Sequence, residues 1–158
     1  MRTDTALGRT IQKVAATPVF AKYAPRLAPR IDRFVHKVTG GRVMVSRGML
    51  PMVMLTATGA KSGLPRTTPL ATVPLDGELY VVGSNLGKAV HPAWSANLLA
   101  HPDASVSYEG DEFPVTAHLL SHDEKAEVWP RILEVWPLWD EYTERSGRDL
   151  RVFRLTRA

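Results

Sequence analysis

Residues 56–69 read Thr-Ala-Thr-Gly-Ala-Lys-Ser-Gly-Leu-Pro-Arg-Thr-Thr-Pro and lie between two apolar runs, 49–55 and 67–75. Both runs are typical of β-strands, so the stretch between them is expected to form a loop that joins two strands. Its glycines allow backbone N–H groups to turn inward, and Lys61 and Arg66 supply positive charge. This composition suits a polyanion. It is also common in ordinary polar turns, and the residues alone leave both interpretations open.

The stretch is not the phosphate loop of nucleotide triphosphatases. That motif places a glycine directly before Lys-Ser/Thr, whereas Ala60 precedes Lys61 here. The motif also opens a helix, whereas Pro65 and the β-branched Thr67 favour a strand after this loop. A triphosphatase of this type is therefore excluded.

The composition indicates one ordinary folded domain. The chain has 158 residues, of which 44% are hydrophobic and 23% are charged, and this is enough for one buried core. It contains no cysteine, which excludes a disulfide framework, a thiolate metal site and a cysteine nucleophile. No apolar run reaches the ~18 residues of a membrane span, and none has the form of a signal peptide. A cytoplasmic location is expected.

Positive charge is concentrated in residues 1–40. This segment holds eight Lys or Arg residues and two Asp residues, a balance of +6, whereas residues 41–158 hold twelve basic and fourteen acidic residues, a balance of −2. We therefore distinguish a basic, helical segment, 1–40, from a main domain, 41–158. The basic segment is either a solvated helix face or a peripheral contact with an anionic membrane. No motif indicates nucleic-acid binding.

Strand signals recur throughout the main domain. Asp76-Gly77 and Glu109-Gly110 separate pairs of strand-like runs and predict hairpins. Strands are expected at 43–46, 49–55, 67–73, 78–84, 104–108, 112–120 and 150–155. They predict a sheet of about six mostly antiparallel strands, which can close or half-close into a small barrel.

A short helix is expected after the second hairpin strand. Pro92 suits its first position, and Trp94, Leu98 and Leu99 are expected on its buried side. His91 precedes this helix, where a lone histidine is more often a cap or a surface residue than a catalyst. No carboxylate has the spacing of a metal ligand set, so no metal site is predicted.

Two helical segments are expected before the last strand. Ser121 and Glu124 form a capping box for the first, which Pro130 is expected to kink or interrupt. Pro137 begins the second, and Gly147 ends it. Their aromatic residues can be core or can form a wall for a flat ligand; they are Trp129, Trp136, Trp139 and Tyr142.

Three segments in order resemble one known family. They are T-x-T-G-A-K-S-G-L-P-R-T-T-P-L at 56–70, S-N-L-G-K-A-V-H-P-A-W-S-A-N-L at 84–98 and W-P…W-P-L-W-D-E-Y at 129–142. They resemble the deazaflavin (F420)-dependent nitroreductase and quinone reductase family of actinobacteria and their relatives. The resemblance implies an α+β, FMN-binding-like split β-barrel with flanking helices, and a single coenzyme-binding domain over residues 41–158.

The resemblance also implies roles for individual residues. Those expected to hold the phosphate and the glutamate tail of the coenzyme are Lys61, Ser62, Gly63 and Arg66. Those expected near its ring are Thr68 and Pro69. The residues expected to flank the coenzyme from the next loop and helix are Ser84, Gly87, Lys88, Trp94 and Asn97. The expected substrate-facing aromatics are Trp136, Trp139 and Tyr142.

The implied function is reduction by coenzyme F420. Hydride would pass from the reduced coenzyme to a planar small molecule, namely a quinone, an activated alkene or a nitroaromatic. A deazaflavin delivers hydride from its own ring, so neither a nucleophile nor a metal is required of the protein. Two alternatives are an FMN-dependent split-barrel oxidoreductase and a non-catalytic F420 carrier. A monomer and a homodimer are both compatible with the sequence.

Overall fold

Six strands close into a barrel in the computed structural model, which describes residues 50–158. The strands are β1 (Met52–Thr58), β2 (Pro65–Leu75), β3 (Glu78–Val82), β4 (Asp103–Tyr108), β5 (Asp111–Leu119) and β6 (Val152–Arg157). Around the barrel their order is β1-β2-β3-β6-β5-β4; every neighbouring pair is antiparallel, and β4 pairs back with β1. The predicted α+β barrel of about six strands is confirmed.

Some predictions lie outside the described residues. These are the basic segment 1–40, its boundary with the main domain, and the strand at 43–46. Contact of the basic segment with a membrane therefore stays a prediction. Within residues 50–158, no helix combines the length and the apolar character needed to cross a bilayer.

The two predicted hairpins turn through consecutive residues with positive φ. The angles are 54° at Asp76 and 84° at Gly77, and 54° at Glu109 and 99° at Gly110. Two successive residues of this kind make the tight turn whose twist matches that of the flanking strands. Glycine takes the second position easily because it has no Cβ atom. The hairpins β2–β3 and β4–β5 are therefore encoded locally.

Alternation along the strands divides the core into two layers. Leu79 and Val81 of β3 belong to a layer inside the barrel, whereas Tyr80 and Val82 belong to a layer outside it. All six strands contribute to the inner layer, through Val53, Leu55, Leu70, Leu79, Val81, Val106, Val115, Phe153 and Leu155. The outer layer lies under the two C-terminal helices.

Helix α1 (Ala93–Ala100) packs against the inner layer. Trp94 and Leu98 are buried as predicted, and the Trp94 ring lies 5.8 Å from the ring of Phe153. The prediction for Leu99 was wrong, because its side chain is 47% exposed. Leu99 lies about 140° around the helix from Trp94, and the buried face extends instead to Ser95.

Helices α2 (His122–Val135) and α3 (Leu138–Ser146) cover the outer layer. The predicted capping box is present: the Glu124 N–H donates to Ser121 Oγ at 3.2 Å, and the Ser121 N–H donates to the Glu124 carboxylate at 2.8 Å. Pro130 does not interrupt α2, which continues to Val135. A proline removes one helical hydrogen bond, and here the adjacent turn is held by the fully buried Ile132.

Candidate functional site

The connection between β1 and β2 is closed by its own hydrogen bonds. The Gly59 N–H donates to the Leu64 carbonyl at 2.9 Å, and the Gly63 N–H donates to the Gly59 carbonyl at 2.8 Å. We use the name basic loop for residues 59–66, which are this connection and the first two residues of β2. Lys61 and Arg66 of this loop are exposed, and within residues 50–158 neither forms an ion pair with a carboxylate. The backbone is thus fixed while both cations stay available to a ligand.

Asn97 fastens the basic loop to helix α1. Its Oδ1 atom accepts a hydrogen bond from the Ala60 N–H at 2.9 Å. Ala93 and Ala96 lie four residues and one residue before Asn97, so α1 presents small side chains beside this contact. The position of the loop therefore depends on the position of α1.

An open cleft of about 790 Å³ lies between the basic loop, the start of β2 and α1. This volume falls within the range of small-molecule sites. The lining includes two cations and no carboxylate, so the cleft favours an anionic ligand. The lining residues are Gly59, Ala60, Lys61, Ser62, Pro65, Arg66, Thr67, Thr68, Ala93, Trp94, Ala96 and Asn97.

The cleft offers binding groups and no acid–base machinery. Its lining contains no His, Asp or Glu side chain. Across residues 50–158, no three side chains of these types come close enough together to hold a metal ion. The cations suit a phosphate or carboxylates, and the small face of α1 leaves room for a flat ring. Such a site can position a coenzyme that brings its own chemistry.

A second loop, residues 83–91, joins β3 to α1 and is held by Arg148. The guanidinium donates from Nη2 to the carbonyls of Gly83 and Ser84, at 3.0 and 2.9 Å, and from Nε to the carbonyl of Lys88 at 3.1 Å. Its Nη1 atom lies 2.9 Å from Nδ1 of His91. One side chain therefore binds both ends of the loop.

His91 is an acceptor in this arrangement. An arginine can only donate, so Nδ1 of His91 must carry the lone pair. Burial lowers the pKa of His91 from its usual 6.5, and the charges of Arg151 and Arg148 lower it further, against an opposing effect of Asp149. His91 is therefore neutral at pH 7. It is not the helix cap, because Pro92 occupies that position.

The C-terminal aromatics lie in the outer core layer. Trp136, Trp139 and Tyr142 are 6%, 3% and 2% exposed, and none of them lines the cleft. Burial raises the pKa of Tyr142, and the Arg145 guanidinium lies over its ring, 5.6 Å from the centroid. Their packing is that of core residues, and a substrate-facing role stays a prediction.

Comparison with known sequences identifies the family. The sequence model of the F420H(2)-dependent quinone reductase family matches residues 28–157. The chain belongs to this family. An F420H(2)-dependent quinone reductase of Mycobacterium tuberculosis is 35% identical over 139 residues, which cover 81% of this chain and 89% of that protein. A second relative from the same species, named as a quinone reductase of the same type, is 34% identical over 103 residues, or 63% of this chain and 87% of that protein.

Solved structures agree with membership of the F420H(2)-dependent quinone reductase family. The F420-H2 dependent reductase FDR-A has a TM-score of 0.61 and 36% identity, and the match covers 66% of this chain and 93% of that one. A structure described as a domain-swapped dimer has a TM-score of 0.64 and 33% identity, with coverages of 80% and 93%. A heme-binding protein of Mycobacterium smegmatis, at 20% identity and a TM-score of 0.51, shares the fold alone; the match covers 67% of this chain and 46% of that one.

The family site residues predicted from the sequence fall into three groups in the structure. The first group lines the cleft and consists of Lys61, Ser62, Arg66, Thr68, Trp94 and Asn97. The second group adjoins the cleft without lining it: Gly63 lies within the basic loop, and Pro69 lies on β2 opposite Met54. The third group, Ser84, Gly87 and Lys88, lies on the 83–91 loop. The binding roles of all three groups stay predictions.

Some residues of the site were missed by sequence reasoning. Ala93 and Ala96 line the cleft, and their spacing with Asn97 on one helical face could have indicated this. Arg148 organises the 83–91 loop, but its partners lie 57 to 65 residues away and three of them are backbone carbonyls. No sequence pattern marks such a contact.

Proposed function

We propose that this chain is an F420H2-dependent reductase that transfers hydride from the reduced coenzyme to a quinone. The supporting observation is the cleft of about 790 Å³, which has two cations and no carboxylate in its lining, in a chain that matches the F420H(2)-dependent quinone reductase family over residues 28–157. An anionic coenzyme with a flat ring fits both the positive charge of the cleft and the match to this family.

Lys61 and Arg66 hold the anionic tail of the coenzyme. Both are exposed on a loop whose backbone is already fixed by internal hydrogen bonds, so little ordering is required of them on binding. The Ser62 hydroxyl adds a donor at the same place. Asn97 keeps the loop at a set distance from α1 through its contact with Ala60.

The ring end of the coenzyme lies along α1. Ala93 and Ala96 leave the space that a flat ring needs, and Trp94 and Thr68 bound it. The bound coenzyme supplies the hydride from its own ring. The chain contributes orientation of the coenzyme, which is consistent with the absence of His, Asp and Glu from the lining.

The acceptor is a planar molecule. A quinone is the acceptor in the names of the relatives, and we extend the proposal to activated alkenes and nitroaromatics because their reduction also needs only a positioned hydride donor. We retain Trp136, Trp139 and Tyr142 as candidate substrate contacts. Their burial means that such contact requires opening of the layer under α2 and α3.

Two alternatives make different use of the same cleft. FMN also carries a phosphate, which the basic loop could hold, so an FMN-dependent oxidoreductase would have the same lining. A non-catalytic F420 carrier would bind the coenzyme without passing hydride to any acceptor. Purification with bound yellow flavin would favour the first alternative, and tight F420 binding without turnover would favour the second.

Assembly and location belong to the proposal as well. The relative described as a domain-swapped dimer supports a homodimer, and light scattering would separate this from a monomer. We also propose a cytoplasmic location, with peripheral membrane contact through residues 1–40, where the charge balance is +6. Co-sedimentation of the full chain with anionic and neutral vesicles tests this contact.

Turnover tests the enzyme directly. Purified protein is mixed with reduced F420 and menadione, and reoxidation of the coenzyme is followed by absorbance against a protein-free control. We expect protein-dependent reoxidation. Absence of turnover with several quinones and nitroaromatics would contradict the reductase, and a parallel binding titration would then decide whether the chain is a carrier.

A further inference from the structure

We propose that Arg148 is a positioning residue of the coenzyme site, and that its contacts with the 83–91 loop are complete only while His91 is neutral. The inference rests on the proposed function for its link to the coenzyme. Its structural part, the control of the loop by Arg148 and His91, stands on contacts in the described residues.

The backbone of the 83–91 loop is strained and needs stabilising contacts. We call the hydrogen bonds from Arg148 to this loop the clamp. Asn85, Leu86 and Gly87 have φ values of 47°, 54° and 75°, three left-handed residues in succession. Glycine adopts this region without penalty, so Gly87 is unstrained, whereas Asn85 and Leu86 are strained unless their surroundings compensate. Two local hydrogen bonds, from Gly87 N–H to the Ser84 carbonyl and from Lys88 N–H to the Asn85 carbonyl, close the turn.

Arg148 supplies that clamp because its donors bracket the left-handed turn. Nη2 binds the carbonyls of Gly83 and Ser84 before the turn, and Nε binds the carbonyl of Lys88 after it. A guanidinium presents these donors in one rigid plane, which an ammonium cannot reproduce. The two ends of the turn are therefore fixed relative to each other by one side chain.

His91 completes the clamp through the remaining guanidinium arm. Nη1 of Arg148 donates to Nδ1 of His91 at 2.9 Å. The charged groups that face His91 are Arg148, Arg151 and Asp149, two cations against one carboxylate. Protonation of His91 would replace an acceptor with a donor and place a third positive charge there. The contact would then become repulsive.

The clamp reaches the cleft through α1. The loop runs directly into Pro92 and Ala93, and Ala93 and Trp94 line the cleft. Further along the same helix, Asn97 holds the basic loop by the N–H of Ala60. A shift of the 83–91 loop would therefore displace both walls of the cleft. Arg148 acts on the coenzyme through these elements and does not line the cleft itself.

The first test compares Arg148→Lys with Arg131→Lys. Arg131 pairs with Asp76 at the β2–β3 turn, so the control makes the same chemical change away from the loop. Amide hydrogen exchange is measured on the coenzyme-free protein, and coenzyme F420 is then titrated. Arg148→Lys should speed exchange at Gly87 and Lys88 by roughly tenfold and raise the F420 Kd by a similar factor, because several hydrogen bonds to a charged donor are weakened. Arg131→Lys should change neither.

The second test addresses His91 with His91→Asn, which keeps a side-chain acceptor but cannot be protonated. Exchange of the 83–91 amides is compared with that of the unchanged protein at each pH, so that the intrinsic pH dependence of exchange cancels. Because burial favours neutral His91 in the folded protein, the clamp is complete above pH 6.5 and weakens as the pH falls through the lowered pKa. At acid pH, we expect the amides of residues 83–91 to exchange faster in the wild-type protein than in His91→Asn.

The outcomes separate the two claims. Unchanged loop exchange in Arg148→Lys would overturn the clamp, and equal pH dependence in the unchanged protein and in His91→Asn would overturn the role of His91. If Arg148→Lys does not fold, the pH comparison still tests the Arg148–His91 contact, because loss of that contact at acid pH is measured on the wild-type protein. If the unchanged protein does not bind F420, the proposed function fails, whereas the exchange data continue to test the clamp.

Discussion

Replacement of Lys61 with alanine tests the basic loop most simply. The side chain is exposed, lines the cleft and has no carboxylate partner among residues 50–158. We expect Lys61→Ala to weaken binding of F420 far more than it changes folding. The structure separates the two effects because the backbone of the loop is held by bonds that do not involve this side chain.

The size of the expected loss of F420 affinity follows from the exposure of the Lys61 side chain. Two unit charges about 4 Å apart attract by about 1 kcal/mol in water and by about 4 kcal/mol near a protein surface. Lys61 is open to solvent, so we expect the lower part of this range, about 1–2 kcal/mol. This corresponds to a roughly 5- to 30-fold rise in Kd. The free energy of unfolding should change by less than about 0.5 kcal/mol, as for most surface substitutions.

The assay is a titration of F420 at about 0.05 M and about 0.5 M salt, with urea unfolding in parallel. The difference between Lys61→Ala and the unchanged protein should shrink at the higher salt because the charges are screened. Lys61→Arg keeps the charge and should bind nearly as well. Arg131→Gln removes a charge outside the cleft and should have no effect. Unchanged affinity in Lys61→Ala would refute the assignment of the phosphate site.

Four further substitutions test the coupling of the basic loop to α1, the role of Trp139 and the cap of α2. Asn97→Ala removes the acceptor for the Ala60 N–H. It should raise the F420 Kd by about 2- to 10-fold and speed amide exchange at Ala60. Unchanged exchange at Ala60 would contradict the coupling of the basic loop to α1. Trp139→Phe should lower stability by about 1–3 kcal/mol because the ring is buried, and an unaltered KM for menadione would assign Trp139 to the core alone. Ser121→Ala should destabilise the protein by about 1 kcal/mol, measured by thermal unfolding. Hydrogen bonds from Ser121 and then His118 lower the Glu124 pKa to about 2. The stability that Glu124 contributes is therefore present above pH 4.5 and is lost as the pH falls toward 2. A Glu124→Gln variant should lack this loss of stability at acid pH, and an unchanged loss would show that other carboxylates produce it.

Local signals in the sequence predicted much of the fold. Asp76-Gly77, the capping box at Ser121 and the stop at Gly147 each use chemistry confined to a few residues, and all three are present. The family was also identifiable from its three motifs, and the comparison of sequences confirms it. Pro130 shows the limit of such signals, because burial of the neighbouring turn outweighs one lost hydrogen bond.

The parts of the site that depend on tertiary contacts could not be predicted. Asn97 was assigned to the coenzyme from its motif, but its hydrogen bond to Ala60 spans 37 residues and joins two motifs in space. Arg148 reaches backbone carbonyls, which every residue has, so its role leaves no trace in the residue types nearby. Exposure of the C-terminal aromatics is likewise decided by how α2 and α3 pack on the barrel.

We propose that the basic cleft selects coenzyme F420 over FMN. The direct measurement is a pair of binding titrations on the purified full chain, one with F420 and one with FMN, under the same salt and pH. We expect F420 to bind at least about tenfold more tightly than FMN. Equal or tighter binding of FMN would show that the cleft does not select F420.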